Sequence, residues 1–228
     1  MKKINTGQIS TFAVMFVTSI TSGGYGAWLA LKPLPLGDFR GIAIVAGAVP
    51  LAYLASFLVY RLFLTSMPLR LGPQMPGSRA EFSAQVNILF YLMIFNSLVR
   101  THFVPVPLMR VIYLALGAKL GRNTYSAGAL LDPPLTTIGN NTIIGHDALV
   151  FAHVIEGDRF ELYTVRIGND VTIGGHAAIM PDVEIGDGAI VSIGAVVTKG
   201  TRIGAGEIWG GVPARRIGVR SDYPPAQS

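Results

Sequence analysis

The sequence predicts a chain in two parts: apolar helices of membrane-spanning length, then a triangular β-solenoid. Three observations predict this. Two long runs in the first hundred residues lack interior charge. Beyond residue 120 an aliphatic residue followed by a small one returns every six positions. Of the 228 residues, half are hydrophobic and only 14% charged, and the mean hydropathy is +0.49. That balance leaves apolar surface for lipid to cover.

The first run is ISTFAVMFVTSITSGGYGAWLAL, within the uncharged interval from Lys3 to Lys32; the second is GIAIVAGAVPLAYLASFLVY, between Arg40 and Arg61. A helix needs about 20 apolar residues to cross the hydrocarbon core, so both qualify. Pro50 and the pair Gly23-Gly24 would weaken soluble helices but are tolerated in lipid. The basic Lys2 and Lys3 resemble the start of a signal peptide, but the apolar run is long and lacks a small-x-small exit, so a retained hairpin is expected. The connection KPLPLGDFR is too short for a domain. Lys2, Lys3, Arg61, Arg70 and Arg79 outweigh Lys32 and Arg40, which favours both ends of the hairpin in the cytoplasm, at an inner or plasma membrane.

Residues 1–80 are thus read as the hairpin and a Pro/Gly-rich joint, MPLRLGPQMPGS. In 81–119, EFSAQVNILFYLMIFNSLVR carries Ser83, Gln85, Asn87, Asn96 and Ser97. These suit an interfacial or re-entrant helix, or one packed on the hairpin, better than a third span. A shorter helix follows in VPVPLMRVIYLALGAKLG, with Arg110 and Lys119 available to headgroups.

Residues 120–218 carry the repeat, with 219–228 as a tail. Ile138, Ile144 and Val150 are in phase, and the beat resumes at Ile167 and holds through Ile173, Ile179, Ile185, Val191, Val197 and Ile203 to Trp209. A second apolar or small residue falls four positions later: Thr142, Ala148, Val154, Val171, Ala177, Val183, Ala189, Ala195 and Thr201. Six is neither a helical nor a plain strand period. It fits a coil of three sides, each a short strand and a turn, with the aliphatic residue inward and a small residue, often Gly, letting the backbone corner. No single coil can bury its apolar face, so coils must stack.

The closing stretch IGDGAIVSIGAVVTKG…IWGGVPARRIG, with its Gly-x-Pro-Ala-Arg ending, resembles the hexapeptide-repeat acyltransferases. The resemblance covers residues 115–218 and implies a left-handed parallel β-helix, a homotrimer with the active site between adjacent prisms, and acetyl coenzyme A as acyl donor. More loosely, FVPVPLMRVIYLALGAKLG and AHVIEGDRFELYTVRIG are similar to the membrane-associated hexapeptide region of poly-lysine-synthetase-type peptide synthetases, which would imply amide-forming chemistry.

The beat fails once, between Ile155 and Ile167, where EGDRFELYTVR is charged and aromatic. An insertion must leave the prism as a loop, and such loops tend to line functional grooves. His153 stands at its root. Acyl transfer to a hydroxyl or amine needs a base for the acceptor proton, and imidazole titrates near neutrality. The resemblance gives His153 this role without a covalent acyl-enzyme. Glu156 or Asp158 is expected to fix its tautomer, and a corner N–H of Gly174 or Gly175 to hold the oxyanion. For the coenzyme's phosphates the expectations are Lys199, Arg202, Arg215, Arg216 and Arg220, with Gly174 and Ala195 among the contacts of the coenzyme. His146 and His176 read as exposed corner residues, and His102 is not assigned a role.

Two other classes stay open. The γ-class carbonic anhydrases share this fold and bind zinc through three histidines, but the second histidine of their paired motif is replaced here by Pro181, and no metal is expected. A non-catalytic trimeric scaffold would not bind coenzyme A. The net charge of +5 suits anionic lipid or coenzyme phosphates, and no aromatic-basic interleaving points to nucleic acid. The absence of cysteine excludes disulfides and thiolate chemistry. The acceptor expected for an anchored enzyme is a glycan or lipid precursor held at the membrane.

Overall fold

The computed structural model describes residues 4–101 and 103–222. The chain divides into two compact units, Met1–Leu69 with Met75–Leu92, and Arg70–Gln74 with Met93–Ser228.

In the first unit α1 spans Thr6–Leu31 and starts at a reciprocal cap, with Asn5 and Gln8 side chains each accepting the other's backbone N–H. After a 3₁₀ turn, α2 runs Arg40–Ser66 with Pro50 inside. The two helices pack so closely that a Cβ on Gly23 would stand 2.4 Å from the backbone nitrogen of Ala52. Small residues at the contact let the two backbones approach this closely. Their other faces expose large apolar side chains, among them Val14, Val17, Leu54 and Leu58.

Between the helices of this unit the chain forms β1, Gly72–Pro73, which belongs to the second unit. α3, Arg79–Phe90, starts on Ser78, whose hydroxyl accepts the Glu81 N–H. A π turn over Tyr91–Phe95 carries the helix without a break into α4, Asn96–Arg100. The sequence expectation of two membrane-length helices therefore gains a third. Arg79–Arg100, 22 residues, meets the same criteria of length and hydropathy as Thr6–Leu31 and Gly37–Ser66. Two of its polar residues are paired within the unit, Tyr60 Oη donating to Asn87 Oδ1 at 2.6 Å and Ser83 to the Met67 carbonyl, which matches the expected alternative of a helix packed on the hairpin. Over half of its apolar window is buried, against 6% for Gly37–Ser66.

In the second unit α5, Val106–Leu116, ends at Gly117 in the left-handed region, where no side chain is comfortable. The coils follow in order. The first contains β2 (Lys119–Leu120), β3 (Tyr125–Ser126) and β4 (Ala129–Leu130). The second contains β5 (Thr136–Ile138), β6 (Ile143–Ile144) and β7 (Leu149–Val150). The out-of-phase segment is a hairpin, β8 (His153–Glu156) and β9 (Arg159–Leu162). β10 (Val165–Ile167), β11 (Thr172–Ile173) and β12 (Ala178–Ile179) resume the coil, followed by β13 (Glu184–Ile185), β14 (Ile190–Val191) and β15 (Val196–Val197). β16 (Arg202–Ile203) and β17 (Glu207–Gly210) begin the last turn, and β18 (Arg215–Val219) folds back antiparallel on β17.

The coil strands form three parallel sheets, β2-β5-β10-β13-β16, β3-β6-β11-β14-β17 and β4-β7-β12-β15. Registers stack the six-beat residues into columns: Ile138 on Ile167 on Ile185 on Ile203, Ile144 on Ile173 on Val191, and Val150 on Ile179 on Val197. All of these are at most 4% exposed, and Thr142, Ala148, Val171, Ala177, Val183, Ala189 and Ala195 fill the same interior.

The small residue after each aliphatic one has a different reason from the expected one. It does not make the corner. The left-handed corner positions are Asn123, Asn141, Asp147, Asp170, His176 and Asp182, then Gly188, Gly194, Gly200 and Gly206. The glycine after the aliphatic residue clears the next coil: a Cβ on Gly174 would lie 2.4 Å from the Ile193 nitrogen, and one on Gly145 2.6 Å from that of Gly175.

Truncating a column should therefore cost as much as any tightly packed core. Ile179→Ala is expected to destabilise the second unit by about 2–5 kcal/mol, read from denaturant unfolding of the full chain in detergent. A loss no larger than that of Thr137→Ala, which removes an outward side chain, would contradict the stacked core.

Candidate functional site

The hairpin pairs His153 with Leu162, Val154 with Glu161 and Glu156 with Arg159. It is the middle and outer part of a three-stranded sheet, because β1 pairs antiparallel with β9, Gly72 opposite Leu162 and Pro73 opposite Glu161. The Gln74 N–H donates to the Phe160 carbonyl at 2.7 Å. The expected loop is thus a held hairpin, and only its tip, at Gly157, takes a left-handed turn.

His153 Nδ1 lies 2.7 Å from Asp132 Oδ2, and the Ala152 N–H donates to the same oxygen at 2.7 Å. Asp132 is 1% exposed and His153 24% by side chain. The carboxylate accepts from Nδ1–H, which leaves Nε2 of the neutral ring with its lone pair. Burial pulls the imidazole pKa down, but the hydrogen bond and charge of Asp132 push it up further, and the net direction is above 6.5.

Glu156, expected to orient the ring, does not: Asp132 does. Glu156 lies three residues along β8 and lines the same cavity of about 270 Å³, together with His153, Phe151, Ile155, Met180, Pro181 and Lys199. Asp158 is at the hairpin tip and is absent from the cavity lining. The repeat does not reveal Asp132 as this partner, because the first coil departs from the beat. Ser126 pairs with Ile144, eighteen residues on, but Ala129 pairs with Leu149, twenty on, so hexad counting places Asp132 out of line with His153. The available signal was the acidic residue before Pro133-Pro134, where the coil has its extra 3₁₀ turn.

Lys199 Nζ donates to Glu161 Oε2 at 3.0 Å and to Tyr163 Oη at 3.1 Å, 4.2 Å above that ring. Tyr163 and Arg159 also donate to Glu161, at 2.7 and 2.9 Å. Hydrogen bonds from Tyr163, then Arg159 and Lys199, hold the Glu161 carboxyl down to about 2. This cluster was not read from the sequence, where the segment registered only as charged and aromatic.

The remaining expected contacts are scattered. The Gly174 N–H is spent on the Val191 carbonyl at 2.7 Å, so it cannot serve an oxyanion or the coenzyme. The Gly175 carbonyl takes the Gly194 N–H. Ala195 is buried in the prism, with its N–H on the Ser192 carbonyl and its own carbonyl accepting from the Ala178 N–H. Arg215 and Arg216 are exposed on β18, away from the His153 cavity, and Arg216 pairs with Glu207 at 3.3 Å. Arg202 pairs with Asp182 and Glu184, and Arg220 with Asp222. His146 faces Asp147 at 3.3 Å with most of its ring exposed, and the His176 N–H bonds the His146 carbonyl at a coil corner. His102 lies outside the described residues, as do Lys2 and Lys3 and the tail beyond Asp222. Among the described residues no cluster of three His, Cys, Asp or Glu side chains could hold a metal.

With this geometry in place, residues 164–199 match the family of bacterial transferase hexapeptide (six repeats). The chain is 36% identical over 111 residues to YvoF of Bacillus subtilis, covering 47% of this chain and 63% of that protein. It is 34% identical over 117 residues to the galactoside O-acetyltransferase of Escherichia coli, covering 46% of this chain and 57% of that protein. The chain thus spans about six-tenths of the length of these relatives. In fold it is similar to a hexapeptide-repeat-containing acetyltransferase of Vibrio cholerae solved with acetyl coenzyme A, with a TM-score of 0.51 and 20% identity, over 70% of this chain and 99% of that one. The solenoid is thus similar in sequence and in fold to the hexapeptide-repeat transferases, and residues 164–199 carry their repeat.

The Asp132–His153 pair has a measurable signature. Because the folded pKa of His153 is raised, the pairing stabilises the fold fully below 6.5 and loses that contribution as pH rises through the folded value. In Asp132→Asn, burial should act unopposed and carry the His153 pKa below 6.5. Imidazole NMR titration, with His153→Gln to assign the resonance, checks this. An unchanged midpoint would remove Asp132 as the partner.

Proposed function

We propose that the protein is a membrane-anchored acyltransferase that moves an acetyl group from acetyl coenzyme A to a hydroxyl or amine on a membrane-associated glycan or lipid precursor. The observation that carries this reading is the buried Asp132 carboxylate on His153 Nδ1, in a cavity that also receives Lys199. His153 Nε2 takes the acceptor proton as the acceptor oxygen or nitrogen attacks the thioester carbonyl. Asp132 keeps the tautomer and stabilises the imidazolium that results. Collapse of the tetrahedral adduct breaks the carbon–sulfur bond, and the proton on Nε2 goes to the departing thiolate. The galactoside relative and the acetyl coenzyme A complex of the structural neighbour support the donor and the reaction class. Lys199, Arg215 and Arg216 are the cations assigned to the coenzyme's phosphates.

The solenoid is taken as a left-handed β-helix that works as a homotrimer. The outward rows support an assembly that covers two of its faces. One sheet shows Lys119, Thr137, Arg166, Glu184 and Arg202 outward, and suits water. The other two show Tyr125, Ile143, Thr172, Ile190 and Ile208, and Leu149, Ala178 and Val196, rows that are mostly apolar. Anchoring through α1 and α2 is supported by their length and by how little of α2 is buried. The cytoplasmic side for the solenoid is supported by Arg61, Arg70 and Arg79 outweighing Lys32 and Arg40, with the half-buried Arg79–Arg100 read as packed on the hairpin and not crossing.

The test is transfer of labelled acetyl from acetyl coenzyme A into membrane glycolipids by the full chain in detergent. His153→Ala is expected to lower the rate by about 10²–10⁴-fold, as loss of a general base does. It should leave the chain folded, with a lower melting temperature because Asp132 loses one of its two donors. Wild-type turnover by that variant would remove the proposed base.

A further inference from the structure

We propose that the outer face of α5 lies on an anionic bilayer surface, so that the solenoid unit itself sits end-on at the membrane. The helix is apolar on both sides. Met109, Tyr113 and Leu116 are buried, and α5 packs on β2, β3 and the turn Pro133–Leu135, across the open end of the first coil. Tyr113 Oη fixes it there, donating to the Gly128 carbonyl at 2.7 Å and accepting the Leu130 N–H at 3.2 Å. On the other side Leu108, Val111 and Leu114 stand one helical turn apart at 55, 60 and 41% exposure, and Phe103 just before the helix is 88% exposed. Such a stripe needs a cover.

The charge pattern selects the cover. From Phe82 to Leu131 the sequence has no carboxylate, while Arg100, Arg110, Lys119 and Arg122 flank or interrupt the stripe. Arg110 reaches round to the Thr124 carbonyl, and Lys119 and Arg122 are exposed at the first coil. An apolar strip bordered by cations and free of carboxylates complements acyl chains beneath anionic headgroups. A second copy is a poor occupant. A stable interface buries about 800 Å² per partner, more than a three-turn helix offers. A two-fold contact would also set these cations against their own copies.

The arrangement bears on the acceptor, and here the inference rests on the acyltransfer reading. His153 follows β7 on the second coil. With coils about 4.8 Å apart and a helix about 10 Å thick, the imidazole would stand roughly 15 Å above the lipid contact. A hydroxyl or amine at that height belongs to the head of a lipid-linked glycan rather than to the ester region of a lipid.

The sequence contains no cysteine, so single cysteines can be placed at will. Full-length Leu108→Cys, Val111→Cys, Leu58→Cys and Thr137→Cys would each carry an environment-sensitive fluorophore. The proteins are reconstituted in vesicles of phosphatidylcholine with a minor share of phosphatidylglycerol, with and without brominated acyl chains. Labels at 108 and 111 are expected to be quenched by bromolipid several-fold more than the label at 137. Equal quenching at 111 and 137 would overturn the proposal, as would a blue-shifted but unquenched label at 111, which would mean that protein covers the face. Position 58 on α2 reports anchoring separately. Quenching at 58 without quenching at 111 sinks this inference and leaves the anchor, whereas quenching at 111 without quenching at 58 does the reverse.

Discussion

A coil of this solenoid cannot satisfy its own backbone, and the rest of the structure depends on that. Strand N–H groups end on the carbonyls of the neighbouring coil: Gly145 on Ile173, Gly174 on Val191, Met180 on Val197. An unpaired buried amide costs too much for any coil to stand alone. The coils must approach to hydrogen-bonding distance along their whole perimeter. The closeness forbids a Cβ where glycine follows the aliphatic residue, and it locks the aliphatic columns into register. Extra residues cannot be absorbed inside such a stack. They leave it, and the hairpin from His153 to Leu162 is where they leave.

The same rigidity makes a buried carboxylate tolerable. Asp132 is withdrawn almost wholly from water, an expensive position for a charge without partners. Its Oδ2 has two donors at 2.7 Å, one from the backbone of the next coil and one from the ring of His153. The coil ladder supplies the first, so the geometry of the second is set by backbone pairing rather than by a flexible side chain. Glu161 solves a similar problem at the edge of the hairpin, with Tyr163, Arg159 and Lys199 as donors. The Lys199 ammonium is consequently held at a fixed place on the cavity wall, committed to Glu161 before any substrate phosphate arrives. A phosphate there would have to share the ammonium with a carboxylate.

Most of the fold was legible because the repeat is a direct image of the stacking. Ile173, Ile179, Ile185, Val191 and Val197 are buried where the six-beat puts them. Half of the candidate site, the proposed base His153, was legible for the opposite reason: it stands where the beat fails. Its partner was not, since the first coil is two residues short at one corner and two long at the next, which moves Asp132 off the hexad grid. The motif likeness points to Gly174 and Ala195 as binding residues, yet backbone pairing takes the N–H of each. A motif cannot show which of its N–H groups the ladder has already taken. The third long helix was obscured because Ser83 and Asn87 read as polar in sequence but are satisfied by contacts with Met67 and Tyr60.

The three-stranded sheet at the site has an order that no local pattern reveals. β1 comes nearly ninety residues before the strand it joins, and it contributes Gly72 and Pro73 opposite Leu162 and Glu161. Proline has no N–H to give a ladder, so it suits the outer edge, where none is required. The hairpin would otherwise present β9 as an open edge, free to fray or to recruit another chain. With β1 in place, Glu161 is backed by a paired strand, and Leu162 lies between Gly72 on one side and His153 on the other. The segment Arg70–Gln74 therefore belongs mechanically to the site, although the sequence places it among the helices. The position of the imidazole is then set from two directions, by the coil ladder through Ala152 and by the edge strand through Leu162.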